Sequence, residues 1–166
     1  MSADSVTVLE GELNAAGKTF GIVVARFNAN ITEPLLEGAL ECLEEYGARA
    51  EDIVVVRVPG AVEIPQALDR LANANDYDFN ALIALGCVIR GDTAHFDAVV
   101  DLVTDGFARA TADSGVPMAF GVLTTENLEQ AVERTGQGAG NKGWEAALAA
   151  LEMAGLWEKL GAGQPE

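Results

Sequence analysis

Residues 86–96 read Gly-Cys-Val-Ile-Arg-Gly-Asp-Thr-Ala-His-Phe and gather the polar groups best suited to chemistry, including the only histidine in the chain, His95. An uninterrupted apolar run at 81–85 precedes them, the pattern of a strand buried on both faces, and helical spacing follows from Phe96. The segment is therefore a strand-to-helix turn. Gly86 and Gly91 free the backbone where a ligand approaches. Asp92 or Thr93 is placed to cap the helix, whose unpaired N–H groups and positive dipole end suit a phosphate. His95 falls in the first turn, where that dipole disfavours the imidazolium and leaves a neutral imidazole as a base. A lone histidine is more often a satisfied structural residue. The anion-suited turn beside it shifts the reading toward acid–base chemistry.

Four other side chains carry candidate roles. Phe27 follows the first apolar strand and offers an aromatic face to a planar heterocycle, although most such residues pack under a loop. Glu63 can accept hydrogen bonds from a polyol or complement the start of its own helix. Arg134 near a helix C-terminus is what the dipole selects there. Lys142 opposes the dipole in the first turn of the last helix, so it needs a charge partner or a bound anion. Absent are a Gly-x-x-x-x-Gly-Lys-Ser/Thr loop, a Gly-x-Gly-x-x-Gly fingerprint, a nucleophile elbow and a histidine pair. Covalent and metal mechanisms are therefore disfavoured, and no cofactor or metal is expected. Cys42 and Cys87 lack metal-ligand spacing and read as reduced, buried thiols.

Positioning these groups falls to a chain of 166 residues, 49% hydrophobic and 22% charged, enough for one domain with a real core. Ten Lys and Arg against 26 Asp and Glu give a net charge of −16. Nucleic acid and anionic membranes would be repelled, so any bound phosphate must be small and locally held. The N-terminus has no basic-then-apolar leader and no run approaches a membrane span, which points to the cytoplasm.

Apolar spacing predicts strands at 19–25, 53–58, 81–85 and 118–123, each followed by a helix. The first helix opens at Thr32 with Pro34 in its first turn and stops at Gly47, and two prolines, Pro59 and Pro65, fix the loop before the second. The third runs to about Ser114. Thr125 is expected to cap a fourth ending in Arg134, and a last helix reaches about Leu160, leaving 161–166 as a frayed tail. The domain core spans about 11–160. Residues 6–13 alternate loosely, like a strand that completes a neighbour's sheet rather than its own. Alternation of strand and helix argues a three-layer α/β/α sandwich with a mostly parallel four-stranded sheet. Ligands of such sheets bind beyond the carboxyl ends of the strands, which puts Phe27, residues 61–63, residues 87–95 and Phe120 on one edge.

Five motifs in order, Arg-Phe-Asn, Pro-Gly-Ala-x-Glu-Ile-Pro, Val-Ile-Arg-Gly-x-Thr-x-His, Phe-Gly-x-x-Thr-Thr-Glu-Asn and Ala-Gly-Asn-Lys-Gly, make residues 11–156 resemble the lumazine synthase family of riboflavin biosynthesis. The resemblance implies condensation of 5-amino-6-(D-ribitylamino)uracil with 3,4-dihydroxy-2-butanone 4-phosphate to 6,7-dimethyl-8-ribityllumazine, phosphate and water. It implies Phe27 stacking on the pyrimidine, Ala61, Val62 and Glu63 holding the ribityl chain, and Cys87, Val88 and Ile89 lining the ring pocket. Thr93 and Asp92 would bind phosphate with Arg134 as the cation, and Phe120 would close the aromatic site. Lys142 would lend support, and His95 would carry protons. Val62 stands where many members have Phe, and the Asp92 carboxylate is assigned a capping rather than a ligand role. Also implied are active pentamers with Arg134 reaching an adjacent subunit, and an association with riboflavin synthase. No extra residues occur at 136–140, which favours twelve pentamers closing into a shell. The alternatives are a non-catalytic flavin or lumazine carrier and a paralogue kept to form a shell.

Overall fold

In the computed structural model, which describes residues 1–161, four strands form one parallel sheet: β1 (Phe20–Ala25), β2 (Ile53–Val58), β3 (Ala81–Ile89) and β4 (Met118–Thr125). Their spatial order is β2-β1-β3-β4, with every pair parallel. All six β1 residues and the first seven of β3 are buried, because these central strands are covered on both faces. One face packs on α1 (Ala29–Glu45) and α5 (Lys142–Gly161), through Phe20, Ile22, Val24, Ile83 and Leu85 against Leu35, Leu43 and Leu151. The other packs Val23, Leu82 and Ala84 on α2 (Ile64–Ala72) and α3 (His95–Ser114). Each fully buried Leu or Ile contributes about 1.5–3 kcal/mol, so the two apolar layers set the sheet's register. This is the expected three-layer sandwich.

Three boundaries depart from the sequence reading. Helix α1 starts at Ala29, not Thr32, because Asn28 adopts a left-handed conformation (φ 60°, ψ 46°). The chain turns there at once, and the Asn28 carbonyl accepts from Ile31 N–H at 2.8 Å and Thr32 N–H at 2.9 Å. Pro34 consequently lies inside the helix. Strand β3 continues past Leu85 to Ile89 because β4 stays beside it through the Ile89–Thr125 pair. The fourth helix, α4 (Leu128–Glu133), is capped by Asn127, whose side chain accepts from Gln130 N–H at 2.9 Å. Thr125 instead ends β4 and donates its hydroxyl to the Asn127 carbonyl at 2.9 Å. Of the tail expected at 161–166, Gly161 closes α5 and residues 162–166 lie outside the described residues.

Helices α1 and α5 approach closely because Gly143 has no side chain; a Cβ there would collide with the Leu35 carbonyl. Asn141 sits at the same crossing, 2% exposed, with its amide donating to the Pro34 carbonyl at 3.0 Å and the Gly136 carbonyl at 2.9 Å. Its side-chain oxygen accepts from Gly143 N–H at 2.8 Å and Trp144 N–H at 3.2 Å, capping α5. Gly143→Ala should therefore lower the unfolding free energy by about 1–3 kcal/mol, as overpacking does, read as a lower urea midpoint at unchanged slope.

Candidate active site

The site arises because the two central strands end at different levels. The last β1–β3 pair is Val24 with Leu85, and β1 stops at Ala25, while β3 runs four residues beyond Leu85. The next backbone rung is supplied by a side chain: Asn28 Nδ2 donates to the Cys87 carbonyl at 2.9 Å. Backbone polar groups alternate sides along a strand, so Ile89, two residues on, turns its N–H and C=O to the same open side. A cleft of about 480 Å³ lies here. Its walls are Phe27 and Asn28 after β1, Ala61, Val62 and Glu63 after β2, Cys87, Val88 and Ile89 from β3, and Thr93, His95 and Phe96 from the following turn and helix.

The walls differ in chemistry. Phe27 is 71% exposed, so its ring face is available to a ligand rather than tucked under a loop. Glu63 stands in a single 3₁₀ turn, Ala61–Glu63, and although it precedes α2 its carboxylate makes no capping bond and, among the described residues, has no ion-pair partner. Both lone-pair sets remain available for hydroxyl groups. Val62, exposed, contributes only a small apolar surface. Cys87 is buried behind the sheet edge, and burial pushes its thiol up to about 11. It is wall, not nucleophile.

The helix start is built differently from the expectation. Ala94, not Asp92 or Thr93, is the flanking residue of α3, and its methyl group caps nothing. The Thr93 hydroxyl accepts from His95 N–H at 3.3 Å, and Asp92 is exposed outside the cleft lining without a capping contact. The tight Gly91–Ala94 turn puts the Thr93 oxygen over the helix end and leaves Asp92 on its outside. Thr93 and His95 thus share the cleft with Phe27 and Glu63.

Three predicted residues fall elsewhere. Arg134 is the residue after α4, with Nη1 donating to the Gln130 carbonyl at 2.7 Å and no carboxylate partner among the described residues. Phe120 lies on the edge strand β4, 41% exposed, with its ring edge-on to Phe107 at 4.9 Å. Lys142 pairs with Glu145 Oε2 at 2.6 Å, which supplies the charge partner that a cation in a first turn requires. None of the three lines the cleft of its own chain. Asn28, Phe96 and Val99 do line it without having been singled out, and the Asn of Arg-Phe-Asn was the available signal for Asn28, since Asn tolerates left-handed backbone.

Comparison with known proteins gives the family of the chain. Residues 17–158 match the family model described as 6,7-dimethyl-8-ribityllumazine synthase. The chain belongs to that family. Proteins named 6,7-dimethyl-8-ribityllumazine synthase from Desulfotalea psychrophila and Chlorobaculum tepidum are 55% and 49% identical over 152 residues. One from Desulfatibacillum aliphaticivorans is 51% identical over 153 residues, and each match covers 92% of this chain and 97% of the relative. The lumazine synthase family thus accounts for nearly the full length.

The cysteines give a direct check on the packing of this family member. Burial holds Cys87 near 11 and, with the Glu45 charge as a smaller cause, Cys42 near 12. At pH 8 the Cys87 thiolate population is then about a hundredfold below that of a thiol titrating at 9.0. A disulfide exchange reagent should label neither cysteine on the minute scale in the folded protein and both at once in urea, with folded-state labelling rising as pH climbs toward 11.

Proposed function

We propose that the protein condenses 5-amino-6-(D-ribitylamino)uracil with 3,4-dihydroxy-2-butanone 4-phosphate, giving 6,7-dimethyl-8-ribityllumazine, phosphate and water. The observation that carries this reading is the meeting of an exposed aromatic ring, a free carboxylate, an anion-suited helix start and the only histidine in one cleft of a chain in this family. Phe27 stacks on the pyrimidine, Cys87, Val88 and Ile89 line the ring pocket with the open Ile89 backbone at its polar rim, and Ala61, Val62 and Glu63 hold the ribityl hydroxyls. The phosphate lies at the α3 start over Thr93, with the neighbouring backbone rather than the Asp92 side chain as donor.

In the reaction the substrate amine attacks the ketone and water leaves to give an imine. A proton is then removed from the carbon skeleton, phosphate departs by elimination, and closure of the second ring expels another water. His95 takes and returns these protons. Acid–base work of this kind contributes about 10²–10⁴-fold, and holding two reactants together in one cleft supplies much of the rest.

The site is completed by a second copy of the chain. Arg134 and Phe120 lie off their own cleft, on and beside the edge strand β4, and are delivered to the cleft of an adjacent subunit. Residues 6–13 carry exposed Val6, Val8, Leu9 and Leu13 and leave the domain where Gly11 and Gly155 let the chain cross α5 without side chains between them. They add a strand to the free edge of β2 in a neighbour, whose groove is lined by Leu40, Ala48, Ile53 and Val55. The assembly is a pentamer of single-domain subunits, and the short 136–140 segment favours closure of pentamers into a shell. No helix among the described residues is long and apolar enough to cross a membrane, and the acidic chain works in the cytoplasm.

His95→Ala should lower turnover by about 10²-fold with little change in pyrimidine affinity; turnover at the wild-type level would remove His95 from the mechanism. Arg134→Ala should raise the concentration of phosphate substrate needed for half-maximal rate. Unfolding His95→Ala and Arg134→Ala proteins together and refolding them as a mixture should restore part of the activity, since some clefts then receive both intact residues. Mixtures no more active than the two separate variants would place Arg134 outside a shared site. Light scattering should report pentamers or multiples of them, and a monomer at high concentration would contradict the shared cleft.

A further inference from the structure

We propose that Arg90 is a positioning residue for His95. This rests on the condensation reading above. Arg90 is the residue after β3, and its N–H donates to the Thr125 carbonyl at 2.9 Å, so its backbone is fixed to the sheet. From that anchor the guanidinium reaches both sides of the turn. Nε donates to Glu126 Oε2 at 2.7 Å, while Nη1 and Nη2 meet Asp97 Oδ2 and Oδ1 at 3.4 and 3.5 Å. Its central carbon lies 4.4 Å from the centre of the Phe96 ring. Phe96 and Asp97 are the second and third residues of α3, and His95 is the first.

The first turn of α3 has little else to hold it. Ala94 supplies no capping side chain, and the bonds made by the amides of His95, Asp97 and Ala98 are 3.3, 3.2 and 3.5 Å, all longer than an ordinary helical bond. The imidazole makes no hydrogen bond within the described chain, so its direction follows the backbone that carries it. The guanidinium joins that backbone to the end of β4 through a plane, a fork and an ion pair, a combination that lysine cannot reproduce. Both ion pairs are open to solvent, so losing Arg90 costs little folding stability. Displacing a proton carrier by about 1 Å costs far more in rate. The two effects separate experimentally.

The test is a double-mutant cycle on the full-length assembly: wild type, Arg90→Gln, His95→Ala and the double variant, with turnover and KM for both substrates. Arg90→Gln should lower turnover about tenfold with either KM changed by less than about twofold, and should change turnover by less than about twofold once His95 is already alanine. Arg90→Lys should fall between Arg90→Gln and wild type. Glu126→Gln, which removes one arm and leaves the guanidinium, should give the same pattern at smaller amplitude and serves if Arg90→Gln does not assemble. Equal losses in both backgrounds, or turnover unchanged by Arg90→Gln, would overturn the positioning role while leaving the reaction intact. A wild type that forms no lumazine, or His95→Ala at full turnover, would instead remove the reaction reading and this role with it.

Discussion

The unequal length of β1 and β3 is the constraint on which the rest of the molecule depends. A parallel sheet buried on both faces leaves no room for a ligand along its length, so a cleft forms only where one central strand outlasts its neighbour. Here β4 keeps β3 in register to Ile89 after β1 has ended at Ala25. Asn28, held in a left-handed conformation, closes the first empty rung with its amide and turns the chain into α1 in the same step. One residue thereby fixes the exposed ring of Phe27, the free edge of β3 and the entry of a 17-residue helix. The strand ends also set the spacing between Phe27, Glu63 and His95, which no loop could hold alone.

A second consequence concerns the charge. At −16 the chain repels anions at long range, yet the reaction requires a phosphorylated substrate. In the proposed reaction, binding comes from groups at short range: the N–H groups at the α3 start, the Thr93 hydroxyl and a guanidinium. Within one subunit the guanidinium of Arg134 is turned away from the cleft, bonded to the Gln130 carbonyl. If a neighbour supplies this guanidinium, as proposed above, phosphate recognition and assembly are linked, since a separate chain would hold the pyrimidine without neutralising its partner. Such a link would distinguish the enzyme from a carrier built on the same sheet, for which stacking and the ribityl contacts would suffice.

Much of this was readable from residues alone, and the remainder was hidden for physical reasons. Apolar runs marked four strands because central parallel strands are buried on both faces, and Gly115 and Pro117 punctuated the chain where it turns. Strand ends were harder: Cys87, Val88 and Ile89 look like loop because glycines flank them, and only pairing with β4 makes them strand. Pro34 reads as a first-turn residue, whereas Asn28 begins the helix by its backbone conformation, so α1 starts before the position its proline suggests. Asp92 reads as a cap from its type, but the turn gives that place to the Thr93 oxygen. Phe120 reads as part of the strand-end edge, but it is the third residue of β4 and lies off the cleft.

The most direct measurement is the rate at which the purified protein converts its two proposed substrates to 6,7-dimethyl-8-ribityllumazine, followed by absorbance against the same mixture without protein. Formation well above the uncatalysed rate and proportional to protein concentration is the expected result. Formation at the uncatalysed rate, with the pyrimidine or a lumazine bound tightly, would contradict the assignment of the cleft as a site of chemistry.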